Sequence, residues 1–222
     1  MMATSNKGVV FLLKQFAIGV SMVIITLPGS HLLAGERAED DLTASAMYKT
    51  SGAPTQMVQA AVEAETRIKE FFSKANFKEQ LFAHFHGNQS AASAAWNKKA
   101  EELKSLILEN KFNISIRLVS SYDINYGMSA FAYKGTDGLP QALINKNWLE
   151  YGITEEAMVR LIIEQTGFAM DRFLNGNTDT EGNEGKSFAN DLTSIYEEPI
   201  TKGLKSETLD LDGKKIEVEL QP

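Results

Sequence analysis

The segment from Thr154 to Gly176 constrains the fold of this chain more than any other. Hydrophobic residues from Met158 to Phe173 recur on one face at helical spacing. Thr154 and the two glutamates after it are typical of a helix start, and Asn175-Gly176 is typical of a helix end. A helix with one apolar face is stable when other elements cover that face, so the segment predicts the centre of a domain.

The flanking sequence alternates between helical and strand patterns. Helices are predicted from Pro54, over 77–85, from about 90 to 110 and over 187–196. Strands are predicted at 114–118, in a hairpin of 129–134 with 141–145, and in a C-terminal hairpin of 208–220 that turns at Asp212-Gly213. This order predicts an α+β fold, in which a small antiparallel or mixed sheet packs on the 154–175 helix.

Composition excludes several classes of function. The chain has 29 acidic and 22 basic residues and a net charge of −7, so nothing favours binding to nucleic acid. It has no cysteine, which excludes disulfides, thiolate zinc sites and cysteine nucleophiles. The three histidines are His31, His84 and His86, and the spacing of the last two favours packed or surface residues over metal ligands.

The N-terminus has the pattern of a targeting segment. Lys7 and Lys14 precede twelve uncharged residues, 16–27, and Pro28-Gly29 ends the run. We therefore predict a signal peptide or N-terminal anchor over 1–34, a linker over 35–53 and a single domain over 54–222. The expected location is secreted, periplasmic or at the cell surface, with membrane contact only through the N-terminal segment.

The long helix also carries the outline of a metallopeptidase motif. In H-E-x-G-H-x-x-D, two histidines one helical turn apart bind zinc and the glutamate acts as general base. Gly167 and Asp171 match this pattern. Glu164, Gln165 and Phe168 stand where the pattern has the first histidine, the glutamate and the second histidine. The sequence therefore predicts a metallopeptidase-like helix that has lost zinc binding and the catalysis that depends on it.

Residues from about Val62 to Gln221 resemble a zincin-like domain of large secreted bacterial proteins of the haemolysin-type, calcium-binding class. Such domains carry a helix of the form E-E-x-G-H-x-x-D and then a loop of the form D-T-x-G-D-E-G. The corresponding segments here are 164–171 and 179–185. The resemblance implies a minimal zincin-like core, with Phe168 in place of the family's histidine and Asn183 in place of an acidic residue.

Four carboxylates are candidate metal ligands: Glu164, Asp171, Asp179 and Glu184. The first two lie on one face of the helix, and the others belong to the loop that follows it. Carboxylates favour calcium or magnesium over zinc, so Ca²⁺ is the expected cofactor if any is bound. The alternative is a solvated acidic turn in which Asp171 pairs locally. Phe168 is expected in the core, either as an ordinary core residue or filling a former metal cavity.

The function predicted from these features is that of an exported, non-catalytic domain for surface interaction, adhesion or assembly, with a protein or cell-surface partner. Aromatic residues around the 129–145 hairpin are candidates for a recognition surface; they are Tyr122, Tyr126, Phe131, Tyr133, Trp148 and Tyr151. One alternative is a metal-dependent hydrolase that uses Glu164, Asp171 and Glu184. Another is a calcium-stabilised structural module.

Overall fold

Helices pack on one face of a six-stranded sheet. The C-terminal hairpin supplies two of the strands, and its side chains pack with those of neighbouring strands on the other face. The computed structural model describes residues 45–87, 89–176, 180, 182–198 and 205–221. The predicted targeting segment and most of the predicted linker lie outside these residues. The helices are α1 Thr55–Ser73, α2 Phe77–His84, α3 Ala94–Leu108, α4 Asn147–Glu150, α5 Glu155–Asn175 and α6 Glu184–Leu192. The strands are β1 Tyr48–Lys49, β2 Ile114–Val119, β3 Ser129–Ala132, β4 Gln141–Asn145, β5 Lys205–Leu211 and β6 Lys214–Gln221.

The strand order β1-β2-β4-β3-β6-β5 makes the sheet mixed. The first three strands in this order run parallel, whereas β3 is antiparallel to both β4 and β6, and β5 and β6 form a hairpin. The predicted α+β class, the mixed sheet and the C-terminal hairpin are confirmed.

Two hydrophobic clusters lie on the two faces of the sheet. The larger one joins the helices to residues such as Ile116 and Ile144, and α5 contributes most of its length to it. The smaller one packs hairpin side chains, including Leu209 and Ile216, on Leu143. The tip of the hairpin is also held by polar contacts. Arg117 forms a bidentate pair with Asp212, and Lys214 Nζ donates to the Thr136 carbonyl at 2.8 Å.

The last part of the predicted linker belongs to the domain. Residues 48–49 form β1 and pair with β2, and Met47 is buried. The Glu65 carboxylate on α1 accepts hydrogen bonds from Ser45 Oγ and from the Ala46 and Met47 N–H groups. A two-residue strand is too short to show a period, so the sequence pattern did not reveal it.

Two helix starts differ from the prediction. α3 begins at Ala94, because the Ser93 side chain accepts a hydrogen bond from the Trp96 N–H and caps the helix there. α6 begins at Glu184, three residues earlier than predicted, because Asn183 caps it by accepting from the Lys186 N–H. Within the described ranges, no helix combines the length and apolar character needed to cross a bilayer.

Candidate functional site

The metallopeptidase-like segment lies where α5 crosses α6, and two glycines allow that crossing. A Cβ atom on Gly167 would lie 2.5 Å from the Gly185 Cα, and one on Gly185 would lie 2.3 Å from the Glu164 carbonyl oxygen. Only glycine permits backbones to approach so closely. The crossing brings Glu164 and Phe168 beside Asn183 and Gly185 at the start of α6.

Glu164 is buried at this crossing, with 1% of its surface exposed. Both carboxylate oxygens are engaged by neighbouring side chains. Arg160 Nη1 donates to Oε2 at 2.8 Å, and Asn183 Nδ2 donates to Oε1 at 3.1 Å. Burial raises the pKa of the Glu164 carboxyl above its ordinary value, and the charge of Arg160 opposes that rise. Glu164 is thus a structural carboxylate, and each of its oxygens accepts a hydrogen bond from a neighbouring side chain.

Arg160 connects this carboxylate to a wider polar network. Its Nη1 lies 3.3 Å from Glu197 Oε1, and its Nη2 donates to Asn190 Oδ1 at 3.1 Å. Lys186 Nζ reaches the other oxygen of Glu197 at 2.9 Å. Arg160 and Glu164, the two most deeply buried ions of this network, are paired with each other, as buried ions require, whereas Glu197 is 38% exposed.

The Phe168 ring occupies the position next to Glu164 on the same face of α5. It is 1% exposed, and its centroid lies 5.8 Å from that of Phe131 on β3. The Phe168 ring also adjoins Gly185, because a Cβ atom added to Gly185 would lie 3.4 Å from Phe168 Cε2. The expectation that Phe168 is a core residue agrees with this burial. The ring fills the space between the sheet and α6.

Asp171 lies about two helical turns beyond Glu164 on α5, and its carboxylate forms local hydrogen bonds. It is 2% exposed, and its Oδ1 accepts hydrogen bonds from Asn175 Nδ2 at 2.8 Å and from Thr180 Oγ1 at 2.5 Å. Thr180 Oγ1 also accepts from the Gly87 N–H at 3.0 Å. Asp171 thus ties the loop after α5 to the end of α2.

The candidate metal ligands therefore have separate surroundings. Glu164 is engaged by Arg160 and Asn183, Asp171 by Asn175 and Thr180, and Glu184 is buried at the start of α6. Asp179 lies outside the described residues. Among the residues described, no three His, Cys, Asp or Glu side chains are grouped so that they could hold a metal ion. A cation bound by these carboxylates stays a prediction.

A second polar constellation, which the sequence did not predict, lies between α2 and α6. His84 Nδ1 is 2.9 Å from Ser187 Oγ, and its Nε2 is 3.0 Å from Asp191 Oδ2. The residue types are those of a nucleophilic triad, but the acid is 58% exposed and the Ser187 N–H already donates to the Asn183 carbonyl in the helix. A nucleophilic triad needs a buried, orienting acid and free donors for an oxyanion. We interpret the set as a clamp that holds α2 against α6.

This clamp should make stability depend on pH. Burial lowers the pKa of His84, against the attraction of Asp191, whereas the unfolded histidine titrates near 6.5. Below about pH 6.5 the unfolded chain therefore binds this proton more readily than the folded chain does, and stability is lost as the pH falls. Urea unfolding should show a steeper loss from pH 7 to pH 5 for the natural protein than for His84→Gln. Equal pH dependence of the two proteins would contradict this assignment.

The aromatic residues near the hairpin separate into buried and exposed groups. Phe131 is fully buried, and Tyr133 and Trp148 are half-buried. Tyr122, Tyr126 and Tyr151 are exposed by 76%, 71% and 84%. The first two follow β2 and the third follows β4. Because β2 and β4 are parallel neighbours, all three tyrosines lie at the carboxyl edge of the same strand pair.

The Tyr122 and Tyr126 rings contact each other edge to face, with centroids 5.2 Å apart. A hydrogen-bonded turn presents them. Asp123 accepts from the N–H and the hydroxyl of Ser120, and Asn125, in a left-handed conformation, donates to Glu207 on β5. A fixed turn lowers the entropy lost when exposed side chains bind a partner.

The polar contacts that Arg160, Asn183 and Asn190 make at the site were not predicted from the sequence. The four-residue spacing of Arg160 and Glu164 was a usable signal, because such residues face each other on a helix. The pairing of His84 with Ser187 joins residues 103 positions apart and left no local signal. No protein-family model, curated protein or solved structure matches this chain.

Proposed function

We propose that this chain is an exported, non-catalytic domain that acts in surface interaction, adhesion or assembly. Its proposed ancestry is zincin-like, on the basis of the sequence pattern of 164–171 and 179–185. Export is proposed from the N-terminal sequence alone. The partner is a protein or a cell-surface component, and a metal-dependent hydrolase is the competing proposal.

The state of Glu164 carries the non-catalytic part of this proposal. A catalytic carboxylate must reach a substrate, a water or a metal ion, whereas both oxygens of Glu164 are engaged by Arg160 and Asn183. Phe168 fills the adjacent position with a ring that offers no ligand atom. The segment that resembles an active site is therefore better suited to holding α5 and α6 together.

The exposed tyrosines support the interaction part. Tyrosine is enriched in recognition surfaces because its ring buries apolar area while its hydroxyl bonds to polar groups. Tyr122 and Tyr126 form a contacting pair on a hydrogen-bonded turn, and Tyr151 adds a third exposed ring at the same edge of the sheet.

Metal analysis tests the non-catalytic proposal directly. Protein purified without chelators or added metal should contain no stoichiometric zinc, because the phenyl ring of Phe168 cannot coordinate it. It should also show the same thermal midpoint in calcium as in chelator. A transition metal at one equivalent, whose removal abolishes a hydrolytic activity, would establish the hydrolase instead. A calcium-dependent midpoint would establish the structural module.

Binding to the surface of the producing cells tests the interaction proposal. Fluorescently labelled protein carrying Tyr122→Ser and Tyr126→Ser should bind these cells about tenfold less, as expected when two aromatic anchors are lost. Tyr196→Ser is the matched control, because this tyrosine is also exposed, at 72%, but follows α6. All three proteins should unfold alike. Equal binding by the double variant and the natural protein would exclude this surface.

A further inference from the structure

One edge of the sheet has backbone groups that no strand covers within the described ranges. In β2, the N–H and C=O groups of Ser115, Arg117 and Val119 point towards β4, as the Ser115 N–H to Pro140 carbonyl bond at 2.8 Å and the Lys146 N–H to Val119 carbonyl bond at 2.9 Å show. The groups of Ile114, Ile116 and Leu118 therefore point the other way, towards β1. The Ile114 N–H donates to the Met47 carbonyl on that side.

β1 covers only the beginning of this edge. Its register ends with Lys49 opposite Ser115, and the chain then turns away through the bond from the Ala53 N–H to the Thr50 carbonyl. In the part of the chain that the structure describes, the Ile116 carbonyl and the N–H and carbonyl of Leu118 have no strand partner. The next N–H on the open side of the strand, that of Ser120, already donates to Asp123 Oδ2. The open edge is thus a short stretch with a defined start and end.

A cleft of about 360 Å³ lies beside this edge. Its lining consists of Lys49, residues 51–53 after β1, residues 115–118 of β2, Asp137, and Gln141 of β4. The cleft thus adjoins Ile116 and Leu118, which carry the open groups. A strand paired there would lie about 4.8 Å from β2.

We propose that this open edge of β2 binds an extended segment of a partner polypeptide by strand addition. The open groups alternate as acceptor, donor and acceptor along one strand, and an extended backbone is the ligand that matches this spacing. The segment would take the place that β1 leaves beside Ile116 and Leu118. This inference rests on the proposed interaction role. It adds a second binding surface, distinct from the tyrosines, and a chemical class of partner, an extended polypeptide.

Amide exchange measured by NMR tests this proposal. The probe is a blocked seven-residue peptide of alternating threonine and valine, at millimolar concentration with the full protein. The Leu118 N–H should exchange about fivefold more slowly with the peptide, because it becomes hydrogen-bonded. A peptide of seven prolines, which has no backbone N–H donor, should have no effect. Equal effects of both peptides, or none from either, would overturn the proposal.

Two variants distinguish strand addition at β2 from peptide binding elsewhere on the protein. Leu118→Pro removes the outward N–H and leaves the β2–β4 hydrogen bonds in place, so it should fold and lose the peptide effect, read from neighbouring amides. Leu118→Val keeps the N–H, so this variant should retain the effect of the peptide on amide exchange. Protection of the Leu118 amide without peptide would overturn the proposal. Protection at every protein concentration would indicate that another part of this chain covers the edge, and protection only at high protein concentration would indicate a second copy. Cell binding through Tyr122 and Tyr126 is unaffected by Leu118→Pro, so the two proposals fail separately.

Discussion

Replacing Arg160 with methionine should destabilise the protein by about 3–5 kcal/mol at neutral pH, the usual cost of leaving a buried charge without its partner. Arg160 is 3% exposed and Glu164 1% exposed, so water cannot replace the lost guanidinium. Methionine keeps much of the side-chain volume, which limits the contribution of a cavity. Urea unfolding at pH 7 measures the loss.

The double variant Arg160→Met with Glu164→Gln is the decisive control. Glutamine is neutral and still accepts from Asn183, so the double variant should recover most of the stability lost by Arg160→Met. The pH dependence has a definite sign. Burial already raises the pKa of Glu164, and removing Arg160 raises it further. A raised folded pKa favours the folded state at low pH, so Arg160→Met should lose stability as the pH rises from 5 to 8. A double variant as unstable as the single one would contradict the cost assigned to the unpaired buried charge.

Gly185→Ala should destabilise the protein by about 3 kcal/mol, the upper range for overpacking. Alanine usually stabilises a helix by about 1 kcal/mol relative to glycine, so the sign itself is informative. The added methyl group would lie 2.3 Å from the Glu164 carbonyl oxygen, which is main chain of α5 and cannot rotate away. The helices must therefore separate, and the bond from Asn183 to Glu164 lengthens. Thermal and urea unfolding measure the change.

Gly138→Ala provides the comparison for this variant. Gly138 has a φ of +85° in the β3–β4 loop, and a Cβ there meets nothing within 4 Å. Its replacement should cost about 1 kcal/mol from backbone conformation alone. If Gly185→Ala is no more harmful than Gly138→Ala, the close crossing of α5 and α6 does not hold the fold together. Gly167→Ala should resemble Gly185→Ala, because it meets the Gly185 Cα at 2.5 Å.

Much of the fold was predictable because its signals are local. The period of 3.6 in α1 and α5, the Thr154 cap, which accepts from the Ala157 N–H, and the Asp212-Gly213 turn all depend on neighbours in sequence. The parallel pairing of β1 with β2 was not predictable. It joins Tyr48 to Ile114 across three helices, and a two-residue strand carries no period.

Part of the site was likewise predictable from local sequence, and part was not. The sequence showed that Glu164, Phe168 and Asp171 share one face of a helix, because the spacing of side chains along a helix is set by its geometry. It also showed that Phe168 cannot bind a metal ion.

The tertiary structure decided the state of each carboxylate. The crossing at Gly167 and Gly185 brings Asn183 to Glu164, and Thr180 reaches Asp171 from the loop. Whether a carboxylate is free to react depends on the groups that surround it in space and on its burial, and these come from segments that meet only in the folded chain.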